Sequence, residues 1–235
     1  MRIGTWNLAG RWTPDHLDVV RGLDCDVLLL TEVSERLEVS DYAMHLGGHR
    51  MAPKRRWAGV LSRRPMTPLP DPHPASAAAT VDGWTFCSSI LPWRSCGSEP
   101  WGEGRHVDKT RAAVDILMRS LPTTGLVWGG DWNHALRGRE YSGSMAGRGE
   151  ITAALSGLGL RAPTADLSHA LPRLLTIDHI AVPTGARVTA VAQVEATRSG
   201  RRLSDHDAYV VTVDLAPPSA GPVEDPSEPV RTRPH

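Results

Sequence analysis

Carboxylate, amide and imidazole side chains recur in this chain at the ends of apolar runs. Asn7 closes the run Arg2–Trp6, and Glu32 follows Val27–Leu30. Asp131 and Asn133 flank Trp132 in Gly129-Gly130-Asp131-Trp132-Asn133, Asp178 ends Thr176-Ile177-Asp178, and Leu203-Ser204-Asp205-His206 precedes another apolar run. A strand is expected to lead into the segments that hold Asp131 and Asp178, and one to follow His206. Loops carried by a rigid sheet are the usual place for chemistry, so these segments are candidate parts of one site.

Each residue type suggests a task. A carboxylate such as Glu32, beside a fully apolar strand, is costly to bury unless a hard cation or a positive neighbour balances it. Mg²⁺ takes oxygen ligands and keeps several waters, so one or two protein carboxylates suffice to hold it. A lone glutamate in such a place is otherwise a surface cap, and the company of the other segments is what favours a ligand. Asp131 and Asn133 are two residues apart and face the same side of an extended backbone. They would then offer a carboxylate to orient or deprotonate water and an amide to bind a phosphate oxygen. The alternative is a turn in which both cap their own backbone. His206 titrates near neutral pH, so it can accept a proton or, charged, stabilise a phosphoryl oxygen. Asp205 points elsewhere on an extended backbone and can reach a cation, whereas His179 reads as an ordinary buried histidine.

The elements that would position these residues are legible as apolar runs bounded by Gly, Pro or Asp. Strands are expected at Arg2–Trp6, Val27–Thr31, Ala58–Ser62, Thr85–Leu91, Leu126–Gly129, His179–Val182, Val188–Val194 and Ala208–Leu215. Helices are expected at His16–Leu23, after the cap segment Thr13-Pro14-Asp15, at Asp108–Leu121 and at Ile151–Leu158. In the second, Val114, Leu117, Met118 and Leu121 fall on one face. Long loops at Trp93–Arg105 and Arg137–Arg148 are of the functional or mobile kind. The order of elements predicts an α/β fold of two sheets packed face to face with helices outside.

At 235 residues and 40% apolar content the chain can bury one large core. Its 26 basic and 26 acidic residues cancel, so nucleic acid is permitted as a partner but not demanded by charge. Short basic clusters at Lys54-Arg55-Arg56, Arg63-Arg64 and Arg198–Arg202 read as solvated loops or as the rim of a cleft. Cys25, Cys87 and Cys96 show neither zinc spacing nor a disulfide framework, and reduced thiols point to the cytoplasm. No stretch is long enough to span a membrane, and no apolar signal segment precedes the first strand. Residues 216–235 are Pro-rich and poor in apolar side chains, so they are expected to be a disordered tail on a domain of residues 1–215. A monomer is expected.

Thr5-Trp6-Asn7, Leu30-Thr31-Glu32, Gly130-Asp131-Trp132-Asn133, Ile177-Asp178 and Ser204-Asp205-His206 together resemble the endonuclease/exonuclease/phosphatase (DNase I-like) superfamily. Gly59-Val60-Leu61-Ser62-Arg63-Arg64-Pro65 is similar to a family strand that ends in a Ser-Arg pair. The resemblance spans roughly residues 1–215. It implies a four-layer α/β sandwich of two mixed sheets flanked by helices, and a Mg²⁺-dependent (or Mn²⁺-dependent) phosphoesterase. By the same resemblance Glu32 is the main metal ligand with Asn7 and Asp205 nearby, Asp178 fixes the tautomer of His206, and Asp131 or His206 activates water. The family's usual histidine or tyrosine donor aligns with Ile90, which can donate nothing; His106 and His134 are the candidate substitutes. From position alone, Arg63, Arg94, Trp93, Trp132 and His134 are candidates for contacting a phosphate-ester substrate, possibly a nucleic acid. A nuclease-like phosphodiesterase is the leading expectation. The alternatives are a small-molecule phosphatase of the same fold and a catalytically silent binding module, which Ile90 alone favours.

Overall fold

In the computed structural model, which describes residues 1–216, the chain begins with β1 (Arg2–Asn7), α1 (Pro14–Leu23), β2 (Val27–Ser34), β3 (Ala43–Leu46), β4 (Arg50–Ala52) and β5 (Arg55–Ser62). It continues through β6 (Met66–Pro68), β7 (Ser76–Val81), β8 (Trp84–Ser89), α2 (His106–Ser120), β9 (Leu126–Asp131), α3 (Met145–Gly157) and β10 (Leu160–Arg161). The last elements are a 3-10 turn at Pro163–Asp166, then β11 (Asp178–Pro183), β12 (Arg187–Val194), β13 (Thr197–Arg198), β14 (Arg201–Arg202) and β15 (Ala208–Asp214).

Two sheets result. One has the order β12-β15-β1-β2-β5-β3 with β4 on β5; the other has the order β10-β11-β9-β8-β7-β6. Each is largely antiparallel but contains one parallel pair, β1 with β2 and β8 with β9. The alternation along β2 shows how the layers are specified. Val27 and Leu29 join Ile3, Val60, Phe86 and Ile180 between the sheets. Leu28 and Leu30 face the other way and pack with Val20 and Leu23 of α1. On the far side of the second sheet, Val114 and Leu117 of α2 and Leu155 of α3 cover Trp128 and Trp132. The four layers are therefore α1, sheet, sheet, and α2 with α3, as expected for the α/β sandwich.

The sheets are also tied by polar groups. Ser88 Oγ on β8 donates to the Leu30 carbonyl on β2 at 2.8 Å. This cross-sheet bond satisfies a hydroxyl that would otherwise be costly to bury.

Several sequence expectations are revised. β7, with the sequence Ser-Ala-Ala-Ala-Thr-Val, was not anticipated because alanine has low strand preference; Ala77 and Ala79 are fully buried between the sheets, and that packing decides the matter. α3 starts at Met145 rather than Ile151, with Ser144 as N-cap accepting the Gly147 N–H at 3.0 Å. Glycines in its first turns conceal the helix in the sequence. Asp178 opens a strand instead of closing one. The three cysteines are buried and free. No helix among the described residues is long and apolar enough to cross a membrane. The expected tail falls almost entirely outside the described residues.

Candidate active site

The strand directions bring the candidate residues to one edge of both sheets. β1 and β2 run parallel and deliver Asn7 and Glu32 there. β9 ends at Asp131, and the antiparallel β11 starts at Asp178, which is the direct cross-strand partner of Asp131. β15 runs antiparallel to β1, so the loop before it returns Asp205 and His206 to the same edge. Ser204 secures this loop: its hydroxyl donates to the Asn7 carbonyl at 2.6 Å and accepts the His206 N–H at 3.2 Å. Asp207, fully buried, anchors the other side through Arg202 Nη1 at 2.6 Å and Gln193 Nε2 at 2.6 Å.

Asp178, His206, Asp131, Asn7 and Glu32 form a continuous chain. Asp178 Oδ2 lies 2.7 Å from His206 Nδ1, and His206 Nε2 lies 3.9 Å from Asp131 Oδ2. The Asn7 amide donates to Asp131 Oδ2 at 2.9 Å and to Glu32 Oε1 at 3.2 Å. Its oxygen is turned away and accepts the Ala9 N–H at 2.9 Å. Asn7, expected as a metal ligand, thus presents its NH₂ to the two carboxylates and orients them.

Local backbone explains how Asp131 and Glu32 are presented. Gly130, at φ +124°, lies so close to Ser89 that a Cβ would run into its carbonyl, so β9 can reach this edge only with glycine before Asp131. Asn133 is left-handed at φ 52° and donates its N–H to Asp131 Oδ1 at 3.0 Å. The backbone-capping turn and the site residue therefore coexist, and the extended geometry expected for Asp131–Asn133 does not hold. The Asn133 amide is occupied, donating to the Leu91 carbonyl at 3.0 Å and accepting from Ser142 Oγ at 3.1 Å. Glu32 is left-handed at φ 48° within β2, a conformation of the kind that concentrates at functional sites.

The electrostatics divide the site in two. Asp131 and Asp178 are buried, and burial raises both pKa values, that of Asp131 to about 7, against the opposing charge of His206. Burial works against a charged His206, but the carboxylates of Asp178 and Asp131 overcome it and push its pKa up to about 10. At neutral pH His206 is an imidazolium with Nδ1–H held by Asp178. Burial also raises Glu32, opposed by the Asn7 hydrogen bond and by Arg55, whose Nη1 is 2.7 Å from Glu32 Oε2. Glu32 and Asp205 line a pocket of about 440 Å³ together with Arg11, Arg55 and Arg202.

Two places could hold a cation. Ligand atoms of Asp131, Asp178 and His206 all lie within 4.8 Å of one another, close enough to share a metal ion. Asp178 Oδ2 and His206 Nδ1 are held to each other at 2.7 Å, which leaves Asp178 Oδ1, buried without a hydrogen-bond partner, and His206 Nε2 as the atoms open to an ion there. The Glu32–Asp205 pocket supplies carboxylates, the donors that a hard cation prefers, although both Glu32 oxygens are engaged there, Oε1 by Asn7 and Oε2 by Arg55.

The candidate substrate contacts are largely redirected. Arg63 follows β5 at the opposite edge, paired with Asp24 and lying over the Tyr42 ring. Arg94 is spent on the Gly143 carbonyl, which it reaches with two nitrogens at 2.9 and 2.7 Å. Trp132 and His134 are fully buried, Trp132 packed against Trp128 with ring centroids 4.4 Å apart and tilted by 38°, and His134 bonded through Nδ1 to the Trp132 carbonyl. Trp93 is half-buried, edge-on to Trp101, and lines a recess of about 410 Å³ with Trp57 and Arg50. Of the two candidates for the donor missing at Ile90, His106 has both ring nitrogens engaged, with Ser144 Oγ and the Pro92 carbonyl, and His134 is fully buried with Nε2 unpartnered. His179 is buried and donates or accepts within the core, as expected. Sequence reasoning did not single out Arg55 or His169, whose ring lies 5.8 Å from that of His206. The Lys54-Arg55-Arg56 cluster was the available signal for the first; nothing pointed to the second.

A family model described as the Endonuclease/Exonuclease/phosphatase family matches residues 4–206. The chain is similar in structure to an AP endonuclease from Archaeoglobus fulgidus, at 14% identity and a TM-score of 0.72, covering 92% of this chain and 100% of that one. It is also similar to the 3′ phosphatase NExo from Neisseria bound to a product DNA hairpin, at 19% identity and 0.64, covering 92% and 100%. A humanized TDP2 from D. rerio aligns at 16% identity and 0.55, covering 92% and 99%. At such identities the likeness is one of fold. No curated protein matches the chain.

Proposed function

The chain belongs to the endonuclease/exonuclease/phosphatase family, a family of phosphoesterase hydrolases, and on that premise we propose that it is a divalent-metal-dependent phosphodiesterase of the nuclease-like kind, cleaving its substrate by in-line attack of water. The observation that carries this reading is the unbroken chain from Asp178 through His206, Asp131 and Asn7 to Glu32.

Its geometry supports the following division of roles. His206 is already protonated at neutral pH, so it serves as a donor to a phosphoryl oxygen, and Asp178 holds it there. Asp131, raised to about 7, is matched to taking a proton from water near neutral pH. Asn7 aims Asp131 and Glu32, and Asn133 braces the loop through Leu91 and Ser142. Glu32 and Asp205 would hold Mg²⁺ or Mn²⁺, which when bound neutralises charge on the phosphoryl oxygens. In the reaction a water oxygen forms a bond to phosphorus, its proton passes to Asp131, and the ester P–O bond breaks as the leaving oxygen takes a proton from solvent. A nucleic-acid substrate is favoured by the names of the similar structures, an AP endonuclease and a 3′ phosphatase bound to DNA.

The test is hydrolysis, with and without Mg²⁺ or Mn²⁺, of bis-p-nitrophenyl phosphate, single- and double-stranded DNA, RNA and inositol phosphates, beside His206→Ala. Metal-dependent turnover that the substitution abolishes is expected, with DNA or RNA preferred. Preference for inositol phosphates would replace the nuclease reading by a phosphatase. Absence of turnover on every substrate would overturn the enzyme reading.

A further inference from the structure

Arg55 stands where a cation would be needed. It opens β5, whose antiparallel pairing with β2 sets Arg55 opposite Ser34, two residues past Glu32. Its guanidinium reaches back to Glu32 Oε2 at 2.7 Å, while Asn7 occupies Oε1. Gly10, at φ +69°, forms the floor beneath it: a Cβ there would run into the guanidinium itself. The loop that carries Gly10 is fastened along β2 by the Gly10 N–H to the Glu32 carbonyl at 2.8 Å. The cradle for Arg55 is therefore part of the same backbone that presents Glu32.

The other two arginines of the pocket are held differently. Arg202 is fixed by the Ser204 carbonyl and the buried Asp207, and Arg11 leans on the Leu203 carbonyl at 3.4 Å. Among the described residues, the hydrogen bond of Arg55 is to Glu32 alone. Its side chain is 34% exposed, so it has room to swing into the pocket.

We propose that Arg55 is a built-in counter-ion that keeps Glu32 paired until a divalent cation displaces it, and that the released guanidinium then binds the phosphate group of the substrate in the same pocket. The inference rests on the reading of Glu32 as a metal ligand. A guanidinium and a divalent cation on one carboxylate repel each other strongly at such short range. Either the cation is excluded or Arg55 moves, and a planar fork freed beside Asp205 and Arg11 suits two phosphate oxygens. Metal loading and phosphate binding are then coupled through one side chain, each favouring the other.

The experiment measures Mn²⁺ affinity calorimetrically, and inorganic phosphate affinity with and without Mn²⁺, in the wild type, Arg55→Gln, Arg55→Lys and Glu32→Gln, with thermal melts to confirm folding. Arg55→Gln is expected to bind Mn²⁺ more tightly, by ~10-fold or more, because a positive competitor is gone. The same variant should lose the gain in phosphate affinity that Mn²⁺ gives the wild type, and Arg55→Lys should keep part of it. Unchanged or weaker Mn²⁺ binding in Arg55→Gln, with the wild type binding Mn²⁺ and Glu32→Gln failing to, overturns the counter-ion role while leaving Glu32 as a ligand. Failure of the wild type to bind Mn²⁺, or equal binding by Glu32→Gln, overturns both.

Discussion

The two halves of the site use the same residue types in opposite surroundings. On one side Asp131 and Asp178 are almost wholly buried and have a single cationic partner, His206. On the other, Glu32 and Asp205 face an open pocket shared with three arginines, Arg11, Arg55 and Arg202. In the buried half burial raises Asp131, and the two carboxylates raise His206 against the opposing effect of burial. The open half sets arginines beside its carboxylates, and partners that can move suit a site that exchanges a cation. Divergent environments for like groups are how a site separates its roles. Asn7 is the joint between the halves, since one amide nitrogen serves Asp131 and Glu32 together.

The largest effect is expected within the buried half. Asp131→Asn and His206→Ala should each lower kcat by ~10²- to 10⁴-fold, the range for loss of a general base or a preorganised donor. Steady-state kinetics on bis-p-nitrophenyl phosphate read this directly, and a loss confined to KM would dissolve the distinction between the halves. At the joint, Asn7→Ala should cost ~10- to 100-fold in activity, as for the partners that orient metal ligands elsewhere. It should also weaken Mn²⁺ binding, because Glu32 loses a donor; an effect on kcat alone would place Asn7 wholly with Asp131.

The proton-holding half should also shape the pH profile of kcat/KM. Activity rises as pH passes up through about 7, where Asp131 becomes a carboxylate, and falls as it passes about 10, where His206 loses its charge. A profile whose acid limb lies near pH 4 would contradict a raised Asp131. Behind this half lies its support. Trp132→Ala should cost ~3–5 kcal/mol of stability by emptying a fully buried position against Trp128, measured by denaturant unfolding. A further effect concerns acid. Burial lowers His134, His169 and His179 to about 4, so each is neutral when folded and gains a proton on unfolding between there and about 6.5. Stability should therefore fall as pH drops through 6.5 and level off below about 4, seen as a declining Tm. A flat Tm across that window would contradict the burial of these rings.

Much of this was legible in the sequence. β-branched and apolar runs gave β1, β2, β5, β9, β12 and β15 to within a few residues, because most of these strands are buried on both faces and need such side chains throughout. The residues of the buried half stood out as polar groups at the ends of such runs, Asp131 closing one and Asp178 and His206 standing before others. What stayed hidden depended on strand direction and backbone twist. Arg63 and Arg55 lie near opposite ends of β5, and only the antiparallel pairing with β2 shows that Arg55 is the one at the site edge. Trp132 and His134 looked like loop residues facing substrate, but the left-handed turn at Asn133 sends the chain back under α3 and into the core. In the open half Glu32 and Asp205 were legible as polar groups beside apolar runs, whereas the ion pair of Glu32 with Arg55 depends on the pairing of two strands and leaves no local pattern.

The most direct test is the ¹⁵N chemical shift of the two His206 ring nitrogens, followed from pH 5 to 10 in the wild type and in Asp178→Asn. The buried half as described requires both nitrogens to be protonated at pH 7, with the transition moved well above the ordinary histidine range and lowered when Asp178 is neutralised. A His206 that titrates below pH 7 in the wild type would contradict the assignment of His206 as donor and Asp131 as base.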